Sequence, residues 1–198
     1  SISGGSNVGG VVGSMAKDYT GAGDLYYCVV RNSSITGTGD NIGGVSGNNM
    51  YQLTNCQVLN TTVKGTSSTS KNVGGVVGIN NNQPNKTFDT LRENPILNCT
   101  FSGQVSGVEN VGGIAGTAIT DMTNCKVIQS TDASLPSKVS GTTDVGGVVG
   151  KVSGNTMKGC ANSAEVFGEE NVGGIGGRVE GGEEVNNCNN YGNVTGTT

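Results

Sequence analysis

Histidine and tryptophan are both missing from this 198-residue chain. Without histidine there is no Ser-His-Asp or Cys-His nucleophile pair and no H-E-x-x-H zinc site. Charge is sparse as well: 13% of residues are charged and the net charge is −4, with eleven scattered Lys and Arg. No basic stripe of the kind that engages nucleic acid is present, so no nucleic-acid partner is expected. No apolar run approaches the ~18 residues of a membrane span, and none is expected. The chain does not open with a signal peptide, so export would be directed from outside these residues. No stretch sustains the i, i+3, i+4 spacing of an amphipathic helix. Aliphatic content is low, close to that of disordered chains, but it is concentrated in valine and recurs in register, which disorder does not require.

Glycine is what the chain has in abundance, 36 residues against about 7% in average proteins. Much of it falls in one string, repeated six times behind an Asn or Asp. The string reads NVGGVVG from Asn7, NIGGVSG from Asn41, NVGGVVG from Asn72, NVGGIAG from Asn110, DVGGVVG from Asp144 and NVGGIGG from Asn171. Each copy opens with a β-branched residue two before a Gly and closes with one cysteine: Cys28, Cys56, Cys99, Cys125, Cys160 and Cys188. The openings at Ile2, Ile35, Val63, Val105, Val139 and Val166 are followed by Val194, which begins a seventh copy, with spacings of 33, 28, 42, 34, 27 and 28 residues. Self-similarity at this period marks a solenoid, and a repeat this short buries its apolar faces only by stacking on its neighbours.

The expected fold is therefore all-β: a right-handed parallel β-helix of about six coils, one repeat per coil, forming a single domain over residues 1–198. The paired glycines (Gly9 and Gly10, Gly43 and Gly44, Gly74 and Gly75, Gly112 and Gly113, Gly146 and Gly147, Gly173 and Gly174) are expected at a corner, where glycine supplies backbone conformations barred to other residues. Val8 and Val11 and their equivalents should point inward. The Val12 column, which varies as Val, Ser, Val, Ala, Val, Gly, should face outward or lie under loops. The Asn column suits a turn, because Asn tolerates left-handed geometry, and stacked Asn side chains can form ladders.

Asn-Val-Gly-Gly-Val-Val-Gly followed by Asn-Cys and a Val-x-Gly strand resembles the GLUG repeat of bacterial surface and secreted proteins, across essentially the whole chain. That resemblance implies a β-solenoid in an extracellular setting. It also implies kinship with bacterial adhesins, wall-anchored proteins and the non-catalytic regions of IgA-specific metallopeptidases. It carries no fixed binding residues.

The cysteines share one repeat position, so they should stack as an inward column about one strand spacing, ~4.8 Å, apart. Bridged Cβ atoms lie nearer ~3.8 Å, which favours reduced thiols over a disulfide framework. Zinc is not expected, since no C-x₂₋₄-C pair occurs. The Gly-rich strings do not match phosphate-binding motifs opening a helix, and most acidic residues sit singly in turns. One cluster (Glu165, Glu169, Glu170, Glu180, Glu183 and Glu184) gives calcium a candidate site near Glu169, Glu170 and Glu183, as hard cations take oxygen ligands. No other cofactor is expected.

The copies differ most in their insertions. Ser14–Tyr27 and Ile79–Asn98 lie between the string and the cysteine, and Lys126–Lys138 lies in another part of the coil. Tyr19, Tyr26, Tyr27, Tyr51 and Phe88 fall in the connections after the string, and loops on rigid scaffolds are where binding concentrates. These five are the candidate ligand-binding residues. The reading is a non-catalytic adhesin or surface-display module, with a host or matrix protein or glycan as partner. The alternative is a passive stalk of a larger secreted protein. An ice-binding solenoid would need a regular Thr array, which is absent. Neither end carries the polar cap usual in solenoids, so the ends are expected to stack on neighbouring repeats or on other copies.

Overall fold

The computed structural model describes residues 1–15, 23–81, 95–153, 156–181 and 184–197. These form a parallel β-solenoid; every assigned element among them is a strand. One eleven-stranded sheet and three six-stranded sheets run the length of the rod. Residue Ile2 pairs with Ile35, Ile35 with Val63, Val63 with Val105, Val105 with Val139, Val139 with Val166 and Val166 with Val194, all in parallel register. Each equivalent position is thus a column, and the interior columns of Ile, Val, Leu, Met and Cys merge into one core.

Within each coil the chain runs from the first sheet (Ile2–Gly4 in coil one) to the second (Val8–Gly9), the third (Val12–Met15) and the fourth (Leu25–Tyr26). It then returns to the first sheet through Val29–Arg31. The second and third sheets are the two halves of the Asn-Val-Gly-Gly string folded back on itself. Their backbones touch. A Cβ built on Gly74 would fall on the Val77 carbonyl oxygen and lie 2.6 Å from the Gly116 nitrogen, and one on Gly47 would lie 2.5 Å from the Val8 nitrogen.

The expectation of a glycine corner needs correction here. None of the twelve paired glycines is among the residues with positive φ; the first of each pair has no room for a side chain against the third sheet, and the second has none against the core, as Gly44 has none beside Val58 and Gly75 none beside Phe101. The left-handed corner belongs to the residue two positions before each pair. Asn7, Asn41, Asn72, Asn110, Asp144 and Asn171 have φ of 55°, 60°, 56°, 55°, 54° and 51°. A second correction concerns the Val12 column, which is interior: Ser46, Val77, Ala115 and Val149 are fully buried. Because the string folds back, its two strands present opposite faces to the core. The Val8 column faces one way, and the Val12 column faces the fourth sheet, where a Cβ on Gly176 would touch Met157.

The corner asparagines form a ladder. Asn41 Nδ2 donates to Asn7 Oδ1 at 3.0 Å, Asn72 to Asn41 at 2.8 Å and Asn110 to Asn72 at 3.0 Å. Asp144 interrupts it: the carboxylate accepts from Asn171 Nδ2 at 2.7 Å but has no donor to pass on. Asn110 Oδ1 is left buried without a hydrogen-bond partner.

The connection between Val127 and Lys138 folds against the rod. Asn60, two coils earlier, accepts from Ser130 Oγ at 3.0 Å and from the Thr131 nitrogen at 3.3 Å, and its Nδ2 donates to Thr131 Oγ1 at 3.0 Å. Ser137 Oγ closes the base of this connection, accepting from the Gly103 nitrogen at 3.0 Å and donating to the Ile128 carbonyl at 2.8 Å.

Two outcomes follow from this packing. Gly74→Ala should destabilise the protein by about 3 kcal/mol, at the upper end of overpacking effects, read as a drop in urea midpoint. Asp144→Asn should complete the ladder and add about 1 kcal/mol, seen calorimetrically as a rise of roughly 2–4 °C in Tm.

Candidate functional site

Three of the five aromatic candidates lie among the described residues; Tyr19 and Phe88 lie outside them. Tyr51 is 7% exposed. Its ring lies near Gly23, where an added Cβ would sit 3.5 Å from Tyr51 Cε2 and 2.8 Å from Met15 Cε, so it supports the edge and presents little surface. Tyr26 and Tyr27 are exposed. In the strand Leu25–Tyr26 the alternation puts Leu25 in the core and Tyr26 outside.

Polar neighbours fix Tyr26. Its hydroxyl lies 3.0 Å from Asp24 Oδ2 and 3.3 Å from Gln52 Oε1. Asp24 Oδ1 accepts from the Gln52 nitrogen at 3.3 Å, and Gln52 Nε2 donates to Thr54 Oγ1 at 2.9 Å. Asp24 and Gln52 were not singled out by sequence reasoning; the only sequence signal was an acid two residues before a tyrosine in an insertion.

Tyr27 is the exception in its column. Its φ is 54°, like that of Asn55, Asn98, Asn124, Gly159 and Asn187 at the same place in later coils. Every coil but the first fills this left-handed position with Asn or Gly. A side chain there costs about 1–2 kcal/mol in left-handed backbone geometry, and Asn offsets part of that by local hydrogen bonding. Tyrosine has no such compensation, and this one is 73% exposed.

The acidic cluster is dispersed. Glu180 is paired with Lys151 at 3.1 Å and Arg178 at 2.8 Å, and Lys151, then Arg178, hold its carboxyl below the usual range. Glu184 accepts from Asn186 Nδ2 at 2.8 Å. Glu165, Glu169 and Glu170 are exposed, and Glu183 lies outside the described residues. Among the described residues no three His, Cys, Asp or Glu side chains converge as a metal site would require.

The six cysteines are free thiols on one column, fully buried at Cys56, Cys99, Cys125 and Cys160 and half-buried at Cys28 and Cys188. Each inner sulfur sits between two backbone carbonyls, as Cys56 does with Leu25 and Thr54, both at 3.5 Å. The stacked Cys99 sulfur and burial hold the Cys56 thiol far above its ordinary value. Cys160 and burial do the same to Cys125. Cys188 is pushed up by burial.

No protein-family model matches the chain, and no curated protein matches it. Among solved structures the chain resembles a crystal structure from Bacteroides ovatus whose assignment as an immunoglobulin A1 protease is provisional. The TM-score is 0.63 and the identity 22%, over 85% of this chain and 50% of that one. At this identity the likeness is one of fold, and the chain spans about half the length of that protein.

The thiol column gives a direct test. Native alkylation followed by mass spectrometry should label Cys28 and Cys188 only, with all six reacting after denaturation. Because Cys56, Cys125 and Cys188 hold their protons more tightly in the folded state, the stability they contribute is fully present below the ordinary thiol value of 9.0. It is lost progressively as pH rises above that value toward the raised folded ones, so the urea midpoint should fall between neutral and strongly alkaline pH.

Proposed function

We propose that this chain is a non-catalytic module of a bacterial surface or secreted protein. On this reading it is a GLUG-type β-solenoid that displays recognition residues to a host or matrix protein or glycan. The observation that carries the reading is the contrast between interior columns held in register through every coil and outward positions that differ from copy to copy. A scaffold of that kind holds loops and edge residues rigidly, which is where binding concentrates. A fold shared with a protein assigned as an immunoglobulin A1 protease supports an extracellular setting. The absence of histidine from the sequence leaves no His-dependent nucleophile or H-E-x-x-H zinc site to carry hydrolysis. Exposed Ile2, Val11, Val179, Val185 and Val194 on the outermost coils fit stacking on neighbouring repeats or on a second copy.

Biolayer interferometry against immobilised mucin, fibronectin and collagen tests this. Saturable binding to at least one surface is expected, with no fragments on gels of the recovered ligand. Binding to none would leave the passive stalk, and fragmentation would make the module an enzyme.

A further inference from the structure

The first coil departs from the other five at three outward columns together. At the Tyr26 position the later coils carry Thr54, Leu97, Thr123, Lys158 and Asn186. The Tyr27 position elsewhere holds Asn or Gly. At the Val29 position the later coils carry Gln57, Thr100, Lys126, Ala161 and Asn189. These columns lie on the flank of the rod, on strands of the first coil that pair only with the coil after it. Tyr26, Tyr27 and Val29 are 47%, 73% and 50% exposed, so one side of coil one carries an apolar, aromatic strip where its neighbours are mainly polar.

We infer that this strip is a carbohydrate-binding edge, on which Tyr26 and Tyr27 stack against the C–H face of a neutral pyranose and Asp24 and Gln52 hydrogen-bond its hydroxyls. The inference rests on the binding-module reading above and names its ligand class. Three features favour a sugar. Tyr26 is held through its hydroxyl by Asp24 and Gln52, which fixes its ring without burying it. A carboxylate and a primary amide beside an aromatic face match the alternation of C–H surface and hydroxyl rim on a pyranose. Tyr27 stands in left-handed backbone geometry that five other coils assign to Asn or Gly, and strain kept at an exposed residue marks function. The ligand is placed as neutral because Asp24 would repel an acidic sugar.

Saturation-transfer NMR of the intact chain with N-acetyllactosamine, chitotriose and mannotriose tests the assignment. Transfer to the ring C–H protons of at least one probe is expected, with affinity falling at least tenfold in Tyr27→Asn and in Asp24→Asn. Tyr27→Asn restores the residue of the other coils, so its Tm should rise by roughly 2–4 °C while binding is lost, which separates recognition from folding. No transfer from any probe, or transfer unchanged in Tyr27→Asn, overturns the proposal. Mucin capture that survives enzymatic deglycosylation also overturns it, in favour of a protein partner. Mucin or matrix binding that Tyr27→Asn leaves intact removes this edge but not the module reading, whereas binding to no immobilised surface removes the module reading itself.

Discussion

Two strands of every coil lie so close that their backbones are in contact, and the rest of the solenoid is arranged around that contact. Ordinary facing sheets sit about 10 Å apart with side chains between them. Here the second and third sheets have nothing between them but glycine Cα atoms, with a hypothetical Gly43 Cβ only 2.6 Å from the Gly78 nitrogen of the next coil. The folded-back string therefore acts as a thin plate with valines on its outer faces. One set faces the first sheet and the other faces the fourth. This lets a coil of about 28 residues enclose a real apolar core with so few large side chains. Phe101 is the largest of them and packs directly against the plate, where a Cβ on Gly75 would lie 2.5 Å from its ring.

The plate has to be entered by a sharp reversal, and Asn supplies it. Left-handed geometry at six equivalent positions brings their side chains into line, and each bonds the next except between Asn110 and Asp144. The same device recurs before the cysteine column, where Asn55, Asn98, Asn124 and Asn187 turn the chain inward. Both corners put a small polar residue where a larger one would be strained. Asp144 departs from the first corner chemically, and Tyr27 departs from the second sterically.

Much of this was legible in the sequence. The repeat phase from Ile2 to Val194, the parallel stacking, the inward Val8 column and the turn-forming Asn all follow from periodicity and residue chemistry. The role of the glycine pairs did not, because a string rich in glycine reads equally well as a bend or as a close approach. Only the position of Gly78 against Ile42 distinguishes the two. The Val12 column was misplaced for the same reason: Ser46 and Gly176 look like surface residues unless the string is known to fold back. At the candidate site the tyrosines were visible from the sequence. The hydroxyl network of Asp24 and Gln52 was not, since it joins residues 28 apart that meet only through coil stacking.

The docking of Ser130 and Thr131 on Asn60 has a mechanical consequence. A solenoid whose repeats touch only their neighbours can fray from an end one repeat at a time. The connection after Val127 breaks that rule by tying together coils that are not adjacent, passing over Ser102 of the coil between them. Peeling begun at the C-terminal end meets, at this strap, a block of coils that can only come apart together. The rod is thus locked in its middle, where three successive coils are held as one.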